Sequence, residues 1–226
     1  MRFIIVGAGS VGRSIASELT VNDNEVVLLD SSPVSIRGSL VPEADWILGD
    51  GSSPTVLEHA GARECDALIA ATGDDRVNLV VSLLAKTVFG VPKVVARANH
   101  TANEWMFNSN WGIDVTASTP RSLSTVITAA VSVGQAVELT GAWDSSSAIY
   151  TIELPPESPL VGMSPADVPW PSDLLVAAVM RDGAPLSPSK CEELNPGDDL
   201  LLVAAIGATD GIAELEQVVL GSEGQA

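Results

Sequence analysis

Six residues near the start of this chain constrain it more than any others: Gly7-Ala8-Gly9-Ser10-Val11-Gly12, a G-x-G-x-x-G run. They follow Phe3-Ile4-Ile5-Val6, an apolar stretch of strand length, and they precede Val11, Ile15, Ala16 and Leu19, which recur at helical spacing. A second apolar run, Val26-Val27-Leu28-Leu29, ends in Asp30, eighteen residues past Gly12. Strand, glycines, helix, strand and acid in this register predict a phosphate-binding turn. Gly7 permits the tight turn, Gly9 lets backbone approach a pyrophosphate, and Gly12 lets helix and strand pack closely. The helix N-terminus attracts the phosphates. Asp30 is placed to accept hydrogen bonds from a ribose 2′-OH and to repel a 2′-phosphate.

The pattern continues. Ser31-Ser32-Pro33 is expected to open a helix running to about Ser39. Trp46-Ile47-Leu48 reads as a third strand, Ser53-Pro54 as the start of a helix closed by Gly61, and Ala67–Ala71 as a fourth strand. Val77, Val80, Val81, Leu84, Ala85 and Val88 then fall on one helical face, with Asp74 and Asp75 at the helix start, where the dipole favours negative charge. Val94-Val95-Ala96 is expected as a fifth strand, Trp105 to Phe107 as helical, and Ile113-Asp114-Val115 as a sixth strand. Alternating strands and helices mean a doubly wound parallel α/β sheet. A helix from about Arg121 to Val133 follows, with Leu123, Val126, Ile127, Ala130 and Val131 on its apolar face. This face is expected to pack across a two-fold axis.

Beyond Val137 the character changes. Nine of the 14 prolines lie between Pro155 and Pro196, separating short strands at Ile149–Leu154, Leu174–Met180 and Leu200–Ala205 before a final helix from Asp210 to about Leu220. This is the pattern of a small α+β unit. The expected domains are residues 1–134, a nucleotide-binding α/β domain with its connecting helix, and residues 135–226, the α+β domain.

In a doubly wound sheet the ligand lies outside the C-terminal strand ends. That places Gly7–Gly12, Asp30, Gly49–Ser52, Thr72–Asp75 and Arg97–Asn99 around one crevice. Asp50 is placed to read a base amino group, and Thr72 and Gly73 to approach a phosphate or ribose from the other side. Arg13 reads either as added positive charge or as a surface residue. For Arg97 two readings stay open, a ligand contact or a salt bridge with Asp74 or Asp75.

A net charge of −18 argues against nucleic acid and against a bare anionic membrane. No apolar run approaches the roughly 20 residues of a membrane span, and the first one is too short for a signal peptide. Cys65 and Cys191 form no C-x-x-C, and no metal site is expected. A nicotinamide enzyme needs a proton donor or metal beside the hydride carbon. Here the only tyrosine, Tyr150, has Leu154 four residues on, where a Tyr-x-x-x-Lys pair needs lysine, and the second domain has no histidine. The residues favour sensing a nucleotide over using it for chemistry; the alternative is a small NAD(P)-dependent oxidoreductase.

These runs resemble the TrkA family, the cytoplasmic regulatory subunits of bacterial potassium uptake systems, built from RCK (KTN) domains. The marks are IIVGAGSVGRSIASEL, VVLLD, ILGDGSSPTVLEHAG, CDALIAATGDDRVNLVVSLLAK and VPKVVARAN, then SPLVGMSPADV, LLVAAVMRDGAPLSPS and LNPGDDLLLVA. Most specific is Asp66 to Lys86, with its ATGDD-x-x-N. The resemblance implies a Rossmann-like N-terminal domain that binds NAD (NAD⁺ or NADH), with ATP or ADP possible, through Gly7, Gly9, Gly12, Asp30, Asp50, Gly51, Ser52, Thr72 and Arg97. It further implies a single-copy chain that forms a homodimer, assembles into a ring and sits under a TrkH-like membrane potassium transporter subunit, on the cytoplasmic side and without inserting into the membrane. Ser10 stands where ATP-gated relatives carry arginine, which weakens the ATP reading. Arg97 and Asn99 stand where calcium-gated relatives carry carboxylates.

Overall fold

The computed structural model describes residues 1–140, 147–205 and 208–221. They divide into two compact units, Met1–Ser122 and the remainder from Leu123.

The first unit is built on β1 (Arg2–Val6), α1 (Ser10–Val21), β2 (Glu25–Asp30), β3 (Asp45–Leu48), α2 (Pro54–His59), β4 (Ala67–Ala70), α3 (Asp75–Thr87), β5 (Lys93–Ala98) and β6 (Val115–Ser118). Its six strands are all parallel, in the order β3-β2-β1-β4-β5-β6, so the winding direction reverses between β1 and β4. Alternation along the strands feeds two cores. Ile4 and Val6 join Leu29, Leu57, Leu68, Leu79 and Val81 on one face, while Ile5, Leu28 and Ile69 join Ala16 of α1 on the other. Both faces are covered, which a parallel sheet requires.

Four expectations are corrected here. No helix spans Pro33–Ser39; turns and one short 3₁₀ turn, Gly38–Leu40, occupy it. The stretch lacks an apolar face to hold a helix against the core, and serines and Gly38 weaken it further. The segment is anchored instead by Val41, 2% exposed, whose carbonyl accepts from Trp46 Nε1 at 3.2 Å. Trp105 and Met106 lie on a 3₁₀ stretch, Thr101–Met106, with Phe107 just beyond it. The sixth strand begins at Val115, because the Asp114 carboxylate is drawn to Val94 N at 2.7 Å and Lys86 Nζ at 2.8 Å. Finally, α3 is rotated from the face its valines suggest: Asn78 and Ser82 are fully buried, while Val80 and Val88 are 39% and 45% exposed. Asn78 turns inward because its amide meets four partners there.

The helix α4 (Thr119–Val131) follows β6. The second unit holds β7 (Val137–Thr140), β8 (Ser147–Glu153), β9 (Leu174–Arg181), β10 (Ala184–Leu186), β11 (Asp199–Ala205) and α5 (Thr209–Leu220). They form an antiparallel sheet in the order β10-β9-β11-β8-β7. The short β7 and β10 were not expected from the sequence. Ile152, Val179, Leu200 and Leu202 pack with Leu215 and Val219 of α5. Arg181, at the end of β9, grips the buried carboxylate of Asp198 through two 2.8 Å bonds. That accounts for a charged residue at the last position of the strand.

Candidate functional site

The loops at the C-terminal ends of the first unit's strands enclose a crevice of about 560 Å³. This is within the usual size range of small-molecule sites. It lies at the reversal between β1 and β4, where a doubly wound sheet binds ligands. Gly7, Gly9, Asp30, Asp50, Gly51, Ser52, Thr72 and Arg97 all line it.

The glycines divide the work. Gly7 has φ +110°, and a Cβ there would meet Thr72 N at 2.7 Å and Ala71 C at 2.8 Å. Only glycine makes this turn. Gly12 does not line the crevice; a Cβ on it would run into the Gly7 carbonyl oxygen, so it serves the packing of α1 on the turn. A Cβ on Gly9 would meet nothing within 4 Å, so the space above it is open to a ligand. Gly9 is also the N-cap of α1, and no side chain caps this helix or places an acid in its first turn. The N–H groups and positive end of α1 therefore face the crevice with no carboxylate answering them, the arrangement that receives a phosphate. Arg13 turns its guanidinium onto the Ala8 carbonyl, bracing the turn.

Asp30 does more than its position at the end of β2 suggests. One carboxylate oxygen accepts from Ala8 N and the other from Ser32 N, both at 2.8 Å. It ties the glycine turn to β2, and each oxygen keeps acceptor capacity for a ribose hydroxyl. Asp50 forms a tight turn of its own: Oδ1 accepts from Ser52 Oγ at 2.7 Å and Ser52 N at 2.9 Å. These bonds, the hydroxyl's foremost, hold the Asp50 carboxyl below the usual range. Ser52 is thereby engaged with Asp50. A Cβ on Gly51 would collide with Val6, so this loop presses against β1.

Across the crevice, α3 begins differently. Asp74 caps it, accepting from Arg76 N at 2.9 Å and pairing with the Arg76 guanidinium at 2.7 Å. The Arg76 side chain is the main cause that lowers the Asp74 carboxyl to about 2. Asp75, 4% exposed, accepts from Asn99 N at 2.7 Å, Asn103 Nδ2 at 2.7 Å and His100 N at 3.2 Å. Burial pushes its carboxyl up, and these bonds together bring it below the ordinary value. The salt-bridge reading of Arg97 is therefore corrected: both candidate carboxylates have other partners, and Arg97 donates to Thr119 Oγ1 at 3.2 Å instead.

Asn78 was missed as a site residue, although it closes the ATGDD-x-x-N run. Its Oδ1 accepts from Thr72 N and Thr72 Oγ1, at 3.0 and 2.6 Å; its Nδ2 donates to the carbonyls of Thr72 and Arg97, at 3.1 and 2.8 Å. All four of its hydrogen-bonding positions are used, and the ends of β4 and β5 are clamped to α3. An asparagine at helical spacing from two acids was the available signal. Among the described residues no group of His, Cys, Asp or Glu is arranged to hold a metal.

A family model described as the TrkA-N domain matches residues 3–119, and one described as the TrkA-C domain matches residues 149–217. The chain belongs to the TrkA family. This TrkA-family chain is 40% identical over 215 residues to the Trk system potassium uptake protein TrkA of Mycobacterium tuberculosis H37Rv, covering 95% of this chain and 98% of that protein. It is 27% identical to the TrkA protein of Haemophilus influenzae, covering 91% of this chain but 47% of that longer relative. Among solved structures, a GsuK channel bound to NAD matches 100% of this chain and 40% of that one, with a TM-score of 0.67 at 12% identity. That likeness speaks to the TrkA-family chain's fold alone. No helix among its described residues is long and apolar enough to cross a membrane.

Proposed function

We propose that this chain is a cytoplasmic, nucleotide-binding regulatory subunit of a potassium uptake transporter, acting without catalysis. The observation that carries the reading is the near end-to-end match to a single-copy TrkA protein, coverage 95% and 98%. The open helix start above Gly9 supplies the place for a signal. The ligand is NAD⁺ or NADH, held by its adenosine and pyrophosphate, and ADP or ATP shares that half of the contacts. Gly7, Gly9 and the α1 N-terminus would receive the pyrophosphate, with Gly12 shaping the turn. Asp30 would take the ribose, Asp50 with Gly51 and Ser52 the base, and Thr72 and Arg97 the far side.

The nucleotide-binding domain runs through α4 to Gly134, with the second domain beyond it. Homodimers form through α4, whose Leu123, Val126, Ile127 and Val131 are 55–74% exposed; the exposure of so many large apolar groups on one helix supports burial by a second copy. The dimers assemble into a ring on the inner face of the membrane, against a TrkH-like transporter subunit, and the nucleotide acts by binding one state of that ring more tightly than another.

Deleting the gene should impair growth at low potassium, and a Gly9→Val chain should fail to restore it. Steady turnover of NADH by the purified protein, with normal potassium uptake in the deletion strain, would replace this reading by the oxidoreductase.

A further inference from the structure

We propose that Arg97 couples the crevice to α4, by exchanging its contact with Thr119 for the phosphates of a bound nucleotide. The inference rests on the nucleotide-binding reading above and adds the residue through which occupancy is reported.

The backbone of Arg97 is fixed. It lies in β5, and its carbonyl is held by the fully buried Asn78 at 2.8 Å. The side chain is not. Among the described residues its one hydrogen bond is Nε to Thr119 Oγ1, at 3.2 Å. A guanidinium carries five N–H donors, so most of them face no protein acceptor. Arg2, Arg63, Arg76, Lys86, Arg121 and Arg181 each sit beside a carboxylate. Those are six of the 11 lysines and arginines; among the described residues Arg97 is one of the five without such a partner, and of these it is the one that lines the crevice. An anion entering there is its natural partner.

The contact it would give up is a poor one. Thr119 is the first residue of α4, and the start of a helix is its positive end, where a cation is disfavoured. Arg121 adds a second guanidinium to the same turn, answered by Glu104 at 3.6 Å, and the first turn of α4 carries no acid. The turn is otherwise held by local bonds, Arg121 N to Ser118 Oγ at 3.3 Å and Ser122 Oγ to the Ser118 carbonyl at 2.9 Å. Losing Arg97 therefore loosens the start of α4 without unravelling it. In the proposed exchange the side chain swings away from Thr119 to reach phosphates at the start of α1, so the Thr119 contact opposes binding, and by linkage binding opposes it.

The test is calorimetry on the full chain with NADH, joined to hydrogen exchange at the α4 amides. Thr119→Val should tighten NADH by about two- to tenfold, the worth of one net hydrogen bond. Thr119→Ser, which keeps the hydroxyl, should bind as the parent does. Arg97→Gln should weaken NADH by about tenfold or more, a charge-assisted bond's share. In the Arg97→Gln background, adding Thr119→Val should change nothing. NADH should speed exchange in the first turn of α4 in the parent and in Thr119→Ser, and leave it unchanged in Thr119→Val and Arg97→Gln. Thr119→Val affinity equal to or weaker than the parent's, or an effect that survives Arg97→Gln, overturns the coupling while the nucleotide-binding reading stands. No heat with either NADH or ADP in the parent overturns both.

Discussion

Two helices begin at the mouth of the same crevice, and they begin in opposite ways. α3 is filled by its own side chains: Asp74 caps its first turn, Asp75 is buried against the Asn99–Asn103 stretch, and Asn78 fastens Thr72 and Arg97 beneath it. α1 starts on Gly9 with no side-chain cap and no acid, beneath open space. A helix end is normally satisfied by the protein, by water or by a ligand. One sequence has therefore built a finished end and an unfinished end facing each other. The finished one is scaffold, and the unfinished one leaves room for a ligand.

The sharpest way to break that comparison is with the glycines. Gly12→Ala puts a methyl where the Gly7 carbonyl oxygen already stands, a backbone collision that no side-chain rotation relieves. It should cost about 3 kcal/mol or more, read by urea denaturation, or abolish folding. Gly9→Val places its branch in empty space, so the far-ultraviolet circular dichroism and urea midpoint should stay near the parent's while NADH binding is lost. A Gly9→Val chain that binds normally would move the ligand away from α1.

On the finished side, Asn78→Leu keeps the branched outline but strips Thr72 N and the Thr72 and Arg97 carbonyls of buried partners. The expected loss is about 2–4 kcal/mol of unfolding free energy. A loss below about 1 kcal/mol would mean that water replaces the amide.

The open end was legible in the sequence and the closed end only in part: Asp74 and Asp75 were placed at the start of α3, but the tertiary bonds that fill it were not, for a physical reason. Gly7 to Asp30 is a local pattern, in which each residue's role follows from a turn, a strand end or a helix start within one β-α-β unit. The roles of Asp75, Asn78 and Arg97 depend on which strands become neighbours, and β4 pairs with β5 only through the tertiary fold. Hydrophobic periodicity placed Val81 and Ala85 inward as found, but it aimed Val80 and Val88 there too; Asn78 and Ser82 are buried instead, and at Asn78 four hydrogen bonds outweigh one more apolar contact. Pro33–Ser39 erred the other way: a permissive start was read as a helix without an apolar face to hold it. The second unit's strands β8, β9 and β11 were readable from their apolar runs, whereas three-residue β10 pairs as the second arm of a hairpin and carries no pattern of its own.

Asp30 joins the two readings, since it both orders the glycine turn and lines the crevice. Asp30→Ala should weaken NADH by about 1–3 kcal/mol in calorimetry, the range of a charge-assisted hydrogen bond. NADPH should bind the parent more weakly than NADH because its 2′-phosphate meets that carboxylate. Equal affinities would remove Asp30 from the ribose.

Acid should affect the closed end. The bonds that outweigh burial depress the Asp75 carboxyl, so its contribution to stability is fully present above the ordinary value of 3.8 and is lost as pH falls through the lower folded value. Asp114 and Asp198, likewise lowered, act in the same window. Unfolding free energy should decline as pH drops below about 4. Asp75→Asn should flatten that decline, and an unchanged slope would place the acid sensitivity elsewhere.

The smallest expected effect tests the comparison most directly, by making α1 begin as α3 does. Ser10 is exposed, lines the crevice and opens α1. Ser10→Asp puts a carboxylate in the first turn, where the helix end favours negative charge by about 0.3–1 kcal/mol. The urea midpoint should therefore rise slightly, while NADH affinity falls because the new charge faces the pyrophosphate. The opposite signs matter more than either size. A substitution that harmed binding by disturbing the fold would lower both, and one remote from the ligand would raise stability alone. Stability gained together with affinity lost occurs only if the start of α1 is left uncapped for an anion.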